Sequence, residues 1–178
     1  MTNPNLYGAV GQFSDGPELV EAARAARELG YTKLDAFTPF PVHGIDEAMG
    51  IPRSKLGWIV LCAGFLGAAS ALSLIWWTGS VSYPLIIGGK PLFALEFSIP
   101  VTFELTVLFS AFAAVFGMFA LNGLPRLYHP VFNYTKFAGA TDDKFLLAIE
   151  ASDPKFDAEQ SARLLTTLGA HSVELVEG

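Results

Sequence analysis

Residues 56–89 contain no charged side chain, and this stretch constrains the fold more than any other feature of the sequence. About twenty apolar residues in a helix are enough to cross the ~30 Å hydrocarbon layer of a bilayer. A second apolar stretch, residues 99–124, follows and contains one charged residue. We therefore predict an integral membrane protein with two transmembrane helices, over residues 56–77 and 100–123.

Basic residues at the ends of the two predicted helices indicate their orientation. Arg53 and Lys55 precede the first helix and Arg126 follows the second, whereas the loop between the helices carries a single basic residue, Lys90. Basic residues that flank membrane segments collect on the cytoplasmic side. We therefore predict that both ends of the chain are cytoplasmic and that the loop lies outside.

Both predicted helices carry small residues at the spacing of a helix–helix contact. Small side chains let helix backbones approach in lipid, where no hydrophobic effect drives their association. We predict that the two helices pack on each other through Gly64, Gly67, Ala68, Ala71, Ser110, Ala113, Gly117 and Ala120. The other side of the second helix is expected to face lipid or a larger neighbour through Phe109, Phe112, Phe116 and Phe119.

Glu104 is the one acidic or basic residue inside a predicted transmembrane helix. Carboxyl groups at such a depth are costly and often belong to proton or ion paths. Three interpretations are open. Glu104 belongs to a proton path that continues in another subunit, it reaches the nearby membrane surface, or it is a protonated carboxyl packed against a neighbouring helix.

The two polar ends of the chain repeat one order of predicted elements. In residues 1–55, the alternation of apolar and small residues, together with turn residues, predicts a strand over residues 6–13, a helix over residues 17–29 and a strand over residues 31–37. The helix is expected to bury Leu19, Val20, Ala23, Ala26 and Leu29. In residues 125–178, the same signals predict a strand over residues 144–151, a helix over residues 157–168 and a strand over residues 171–176.

This order predicts an α+β membrane protein in which a transmembrane hairpin, residues 56–124, is inserted into a ferredoxin-like βαββαβ domain on the cytoplasmic side. A half with two strands is not stable alone. We therefore expect residues 1–55 and 125–178 to share a four-stranded sheet with two helices on one face. The alternative is two separate caps, each docked on a different partner.

Patterns typical of catalysis, metal binding or nucleic-acid binding are missing from the sequence. The single cysteine, Cys62, excludes an iron–sulfur cluster and a c-type haem attachment site. His43, His129 and His171 are scattered, so the sequence predicts no metal site. Ser14 has no histidine near it in sequence to act as a base. The net charge is −6 and neither end is basic, which excludes nucleic acid as a partner. We predict a non-catalytic chain.

Two loops combine prolines, aromatic residues and a histidine, over residues 38–46 and 124–133. Prolines make such segments stiff, and their aromatic residues suit a membrane interface or a protein partner. One interpretation is a rigid linker with no further role. We favour rigid connectors that also dock partner subunits through Pro39, Phe40, Pro41, His43, His129 and Pro130.

These loops carry a resemblance to a known family. The runs are Pro39-Phe40-Pro41-Val42-His43-Gly44-Ile45-Asp46, His129-Pro130-Val131-Phe132-Asn133 and Asp143-Lys144-Phe145. With two membrane helices between the first and second runs, nearly the whole chain resembles the ActD subunit of bacterial alternative complex III. The resemblance implies a subunit of a quinol-oxidising electron-transfer complex in the bacterial inner membrane. It further implies that haem c, iron–sulfur clusters and quinol are bound by partner subunits, and that this chain holds no cofactor.

Two functions from different classes follow. We predict a cofactor-free structural or accessory subunit of such a respiratory complex, which supports its membrane core, contacts lipid and other subunits, and caps the core on the cytoplasmic side. The alternative is a membrane-tethered sensor whose ferredoxin-like domain binds a small ligand. No catalytic residue is carried over from the family in either case.

Overall fold

The computed structural model describes residues 6–178. The first five residues of the predicted N-terminal half, residues 1–55, lie outside the described residues. The chain divides into two compact units, one comprising Met1–Pro52 and Leu127–Gly178 and the other Arg53–Arg126. We call them the sheet unit and the hairpin unit.

The helices and strands follow one another in the order that the sequence predicts, with one short helix added. They are β1 (Leu6–Phe13), α1 (Gly16–Glu28), β2 (Leu34–Phe37), α2 (Ile45–Met49), α3 (Leu56–Trp76), α4 (Leu95–Leu121), β3 (Phe145–Glu150), α5 (Ala158–Thr167) and β4 (Ser172–Glu177). The added helix is α2. Two 3₁₀ turns, Pro130–Asn133 and Phe137–Thr141, precede β3.

Local caps explain where the two longer helices of the sheet unit begin. The Asp15 carboxylate accepts a hydrogen bond of 2.9 Å from the Glu18 backbone N–H at the start of α1. The Asp157 carboxylate accepts one of 3.0 Å from Gln160 at the start of α5. Each bond satisfies a backbone donor that the first turn of a helix leaves free. One detail of the prediction is wrong, because Leu29 is exposed: it is the C-terminal cap of α1, beyond the part of the helix that packs on the sheet.

Both polar ends of the chain contribute to one sheet. Its strand order is β2-β3-β1-β4, and each neighbouring pair is antiparallel. Strand β1 comes from the first half of the chain, and both of its neighbours come from the second half. The expected four-stranded sheet is therefore confirmed, and the alternative of two separate caps is wrong.

Side chains alternate between the two faces of the sheet along each strand, and both faces are buried. On one face, Ala9, Phe13, Leu147 and Ile149 form a core with side chains of α1 and α5. On the other face, a second core contains Val10, Tyr134, Ala140, Leu146, Ala148 and Val176. Tyr134 and Ala140 belong to the segment before β3, so this segment covers the face that carries no long helix.

The hairpin unit consists of α3 and α4, which pack on each other. Helix α3 continues as a π-helical turn, Trp77–Ser82, and both helices are long and apolar enough to cross a membrane. Helix α4 begins at Leu95 and contains Pro100, whereas the sequence predicts its start at Pro100. That prediction relied on the cost of proline inside a helix. Transmembrane helices tolerate such prolines, and the apolar residues before Pro100 extend the helix.

Candidate functional site

The first predicted docking loop lines a groove in the sheet unit. The groove has a volume of about 570 Å³ and lies between the start of α1 and the loop. From the loop it is lined by Phe40, Pro41, Val42 and His43. From the rest of the unit it is lined by Asp15, Gly16, Pro17, Val20, Glu21, Arg24 and Phe145. The loop and the helix together therefore form a concave, largely apolar surface with charged residues in its wall.

Phe40 is the large apolar side chain of this groove that remains open to contact. Its ring lies edge-on to the ring of Phe145, with centroids 5.5 Å apart, yet 58% of Phe40 is exposed. Val42 packs against the core, and its methyl groups lie where a Cβ on Gly16 would make contact. Val42 thus anchors the loop, and Phe40 is presented on its surface.

The second predicted docking loop is built differently. The His129 Nδ1 atom accepts a hydrogen bond of 3.3 Å from the Val131 backbone N–H, and it caps the first 3₁₀ turn. The ring of His129 also lies edge-on to that of Tyr7, with centroids 5.2 Å apart. Val131 is buried, and Asn133 donates a hydrogen bond of 3.0 Å to the Glu177 carbonyl. This loop therefore ties the covering segment to the sheet.

The structure thus separates the six predicted docking residues into two groups. Phe40, Pro41 and His43 are exposed, and they line the groove. Pro39, His129 and Pro130 are partly buried. The docking role stays a prediction for all six residues.

In the hairpin unit, glycine lets the two helices approach. A Cβ placed on Gly67 would lie 2.5 Å from the Leu105 carbonyl oxygen and 3.1 Å from the Phe109 Cβ. A Cβ on Gly64 would lie 2.8 Å from the Ser110 hydroxyl oxygen. The Cβ of Phe109 therefore lies against α3, and the expectation that Phe109 faces away from α3 is wrong. Gly67 has no side chain, and this leaves room for the Phe109 Cβ.

The other predicted packing residues differ in burial. Ala71 is buried, whereas Ala68, Ala113 and Gly117 are partly buried. A Cβ on Gly117 would lie 2.9 Å from the Leu56 Cδ1 atom, so this glycine also adjoins α3. Ala120, close to the end of α4, is exposed.

Glu104 lies on the outer surface of the hairpin unit, in the first half of α4, and is exposed. Residues that follow it, Leu105 and Thr106, adjoin Gly67 and Gly64 of α3. The structure therefore places the carboxyl group away from the contact between the two helices.

Folding brings together one pair of side chains that the sequence analysis missed. The Ser14 hydroxyl and the His171 Nε2 atom are hydrogen-bonded although they are 157 residues apart. They meet because Gln12 of β1 pairs with Ser172 of β4, which places both at the same end of the sheet. The sequence places no histidine near Ser14, and the folded chain supplies one from its C-terminal part. A nucleophilic serine further needs a third group to orient the histidine, and this exposed pair alone assigns no reaction.

Comparison with known proteins supplies the family. The family model of the alternative complex III ActD subunit matches residues 7–175, which is nearly the whole chain. The chain belongs to the ActD family. A search of the curated proteins gave no match.

Membership of the ActD family gives the chain its setting. The chain is a subunit of alternative complex III, a multi-subunit oxidoreductase, and other subunits of that complex are its partners. It is a membrane-complex subunit with two candidate transmembrane helices. Within residues 6–178, no group of three or more His, Cys, Asp or Glu side chains is arranged to hold a metal ion.

A group of titratable residues lies on the covered face of the ActD sheet. Burial raises the pKa of Asp35, and nearby Glu150 raises it further, while the Ala36 backbone N–H and His129 act in the opposite direction. Burial, with Asp35 and Glu150, also raises the pKa of Tyr7, whose hydroxyl is buried without a hydrogen-bond partner among the described residues. Ionised Asp35 is therefore unfavourable in the folded chain.

We expect Asp35→Asn to stabilise the protein at pH 7. The folded pKa of Asp35 lies above the unfolded value, so its favourable contribution is complete below about pH 4 and is lost as the pH rises through the folded pKa. The Asp35→Asn variant does not lose stability in this way as the pH rises. Its gain in stability over the wild type should therefore decrease on acidification to pH 4. Thermal unfolding of the full chain in detergent at both pH values measures this, with exposed Asp143→Asn as the control. A variant less stable than the wild type at pH 7 would contradict the prediction.

Proposed function

We propose that this ActD chain is a cofactor-free accessory subunit that supports the membrane core of alternative complex III and caps it on the cytoplasmic side of the bacterial inner membrane. One observation carries the proposal: both ends of the chain form a single sheet. Two transmembrane helices between those ends return the chain to the side from which it started. The sheet unit is then a single domain on one face of the membrane.

The assignment of that face to the cytoplasm follows from the flanking charges. Arg53, Lys55 and Arg126 are at the ends of the hairpin that connect to the sheet unit, and Lys90 is in the loop between the helices. The positive-inside bias favours the cytoplasm for the side with three basic residues.

A ferredoxin-like sandwich is the fold that we propose for the cap. The order β2-β3-β1-β4, with all neighbours antiparallel and α1 and α5 on one face, supports this assignment. One face of such a sandwich is open to a partner or a covering segment. In this chain, residues of the segment before β3 lie on that face.

A supporting role also agrees with how the exposed apolar residues are distributed. Along α3 and α4, exposed large side chains include Trp58, Phe65, Phe97, Phe103 and Phe116. Lipid and the membrane helices of other subunits are the surroundings that such side chains require. We propose that quinol, haem c and iron–sulfur clusters are bound by those other subunits.

Purification from native membranes tests the proposed function. A tagged chain should bring down subunits that carry haem c and iron–sulfur clusters, which visible absorption and iron analysis detect. The chain separated from its partners should show neither absorption band nor bound iron. Recovery of the chain without redox subunits, or of haem or iron with the isolated chain, would overturn the proposal.

Phe40 provides a test of the docking groove. We expect Phe40→Asp to lower the fraction of the chain recovered with the complex by about tenfold, because burying an unpaired carboxylate in an apolar contact costs more than about 1.4 kcal/mol. Ile51→Asp is the matched control, since Ile51 is a similarly exposed apolar residue of the sheet unit outside the groove. Equal recovery of the two variants would show that the groove does not dock a partner.

A further inference from the structure

The position of Glu104 along α4 places its carboxyl group within the hydrocarbon layer of a membrane. Helix α4 has 27 residues and is about 40 Å long at 1.5 Å per residue, which exceeds the ~30 Å hydrocarbon layer by about 10 Å. Glu104 is about 14 Å from the start of the helix at Leu95. With the excess divided equally between the two ends, the Glu104 Cα lies about 9 Å inside the hydrocarbon layer, deeper than a glutamate side chain reaches, and an acidic side chain is unfavourable there.

Among the described residues, the hairpin unit supplies no partner for the Glu104 carboxyl group. Helix α4 contacts α3 through Leu105, Thr106 and Phe109, and at 3.6 residues per turn Glu104 faces the opposite side. Around it on that side, Val101, Val107 and Leu108 are apolar and exposed. Within residues 6–178, the Glu104 carboxyl group has neither a hydrogen bond nor an ion pair.

Three hydroxyl groups of α4 differ from the Glu104 carboxyl group, because each has a hydrogen-bond partner within its own helix. Ser98, Thr102 and Thr106 each donate a hydrogen bond to the carbonyl four residues earlier, at 2.9, 2.8 and 2.6 Å respectively. These donors are satisfied by their own helix. Ser110 lies against Gly64 of α3. Glu104 is therefore the ionisable side chain in the membrane part of α4 that requires a partner from outside the chain.

A second hydrogen-bond acceptor lies on the same side of α4. Pro100 is one turn before Glu104 and has no backbone N–H, so the Glu96 carbonyl lacks the donor that an ordinary helix supplies four residues later. Glu96, Pro100 and Glu104 are spaced by four residues and follow one side of the helix. With the carboxyl group ionised, this side, which we call the Glu104 face, offers acceptors and no donor.

We propose that the Glu104 face docks onto a transmembrane helix of another subunit that presents a cation or a hydrogen-bond donor to this carboxyl group. Acyl chains have no donor and leave the carboxyl group unpaired. A second copy of this chain, packed through the same face, would place two carboxyl groups against each other, and these can pair only if one of them is protonated. A donor-bearing helix is the occupant whose chemistry complements the face. The proposal rests on the proposed function, because it requires other membrane subunits.

Two substitutions at Glu104 test the requirement for an acceptor. In the native complex, Glu104→Leu should lower the fraction of the chain that copurifies with the redox subunits by about tenfold, because a hydrogen bond to a charged group contributes about 1.5–3 kcal/mol. Glu104→Gln keeps an acceptor and should retain more of the association than Glu104→Leu. Leu66→Ile, an exchange at an exposed apolar site on α3, is the control. Alkaline extraction of membranes verifies that all three variants are inserted.

A photoreactive benzoylphenylalanine at Val101 identifies the occupant directly. The expected product is a cross-link to one other subunit, and Glu104→Leu should weaken it. Cross-links to lipid alone, or to a second copy of this chain, would overturn the proposal, as would undiminished copurification of Glu104→Leu. If the wild-type chain failed to copurify with redox subunits, the proposed function itself would fail, so the two failures are distinguishable.

Discussion

Replacing Gly67 by isoleucine is expected to break the packing of α3 on α4 and to destabilise the hairpin unit by about 2–3 kcal/mol. The atoms that a Cβ would meet are the Leu105 carbonyl oxygen at 2.5 Å and the Leu105 carbonyl carbon at 3.0 Å. Both belong to the backbone of α4, so the contact cannot be relieved by rotating a side chain. The helices must separate, and the contacts along their length are lost with them.

The same helix offers a graded control series. A Cβ added to Gly57 would meet no atom within 4 Å, so Gly57→Ile should have little effect on packing. Gly64 is intermediate, because the nearest atom to an added Cβ is the Ser110 hydroxyl oxygen, which belongs to a rotatable side chain. All three tryptophans, Trp58, Trp76 and Trp77, lie in the hairpin unit, so tryptophan fluorescence during denaturation in detergent reports this unit alone. Equal stability of the Gly57→Ile and Gly67→Ile variants would contradict the prediction.

Local patterns made most of the fold predictable from the sequence. The alternation of apolar residues located the strands, and turn residues located α1 and α5, whose caps Asp15 and Asp157 are neighbours of their helices in sequence. Long apolar stretches located both membrane helices. Each of these signals depends on residues that are close together in the sequence.

The features that were missed depend on contacts between distant parts of the chain. The segment before β3 has no periodic pattern, and Tyr134 is buried only because the sheet provides a face for it. Ser14 and His171 meet only once β1 and β4 pair. Phe109 was assigned to the wrong side because the space that accommodates it belongs to Gly67 on the other helix.

Removal of the Asp153 carboxylate is expected to destabilise the sheet unit by about 3 kcal/mol or more. Asp153 is 5% exposed, and its carboxylate accepts hydrogen bonds from the backbone N–H groups of Thr32, Lys33 and Lys155 at 2.6, 2.8 and 2.8 Å. The Thr32 hydroxyl donates a further bond of 3.0 Å. Asp153→Ala removes all four of these hydrogen bonds, and a typical one contributes about 0.5–1.5 kcal/mol. Since Thr32 and Lys33 precede β2, the bonds join the two halves of the discontinuous domain.

The pH dependence of Asp153 should be opposite in sign to that of Asp35. Burial raises the pKa of Asp153, but the hydrogen bonds from Thr32, Lys155 and Lys33 outweigh it, and the pKa lies below its ordinary value. The stabilisation is therefore complete above about pH 4 and is lost as the pH falls through the folded pKa. Hydrogen exchange of the Leu34–Phe37 amides in the full chain should accelerate in Asp153→Ala at pH 7, and exposed Asp142→Ala should leave it unchanged. Protonation of Asp153 removes the same acceptor as the substitution. The difference in exchange rate between Asp153→Ala and the wild type must therefore decrease at acid pH. A difference that persisted at acid pH would mean that the packing of this side chain, and not its charge, holds the two halves together.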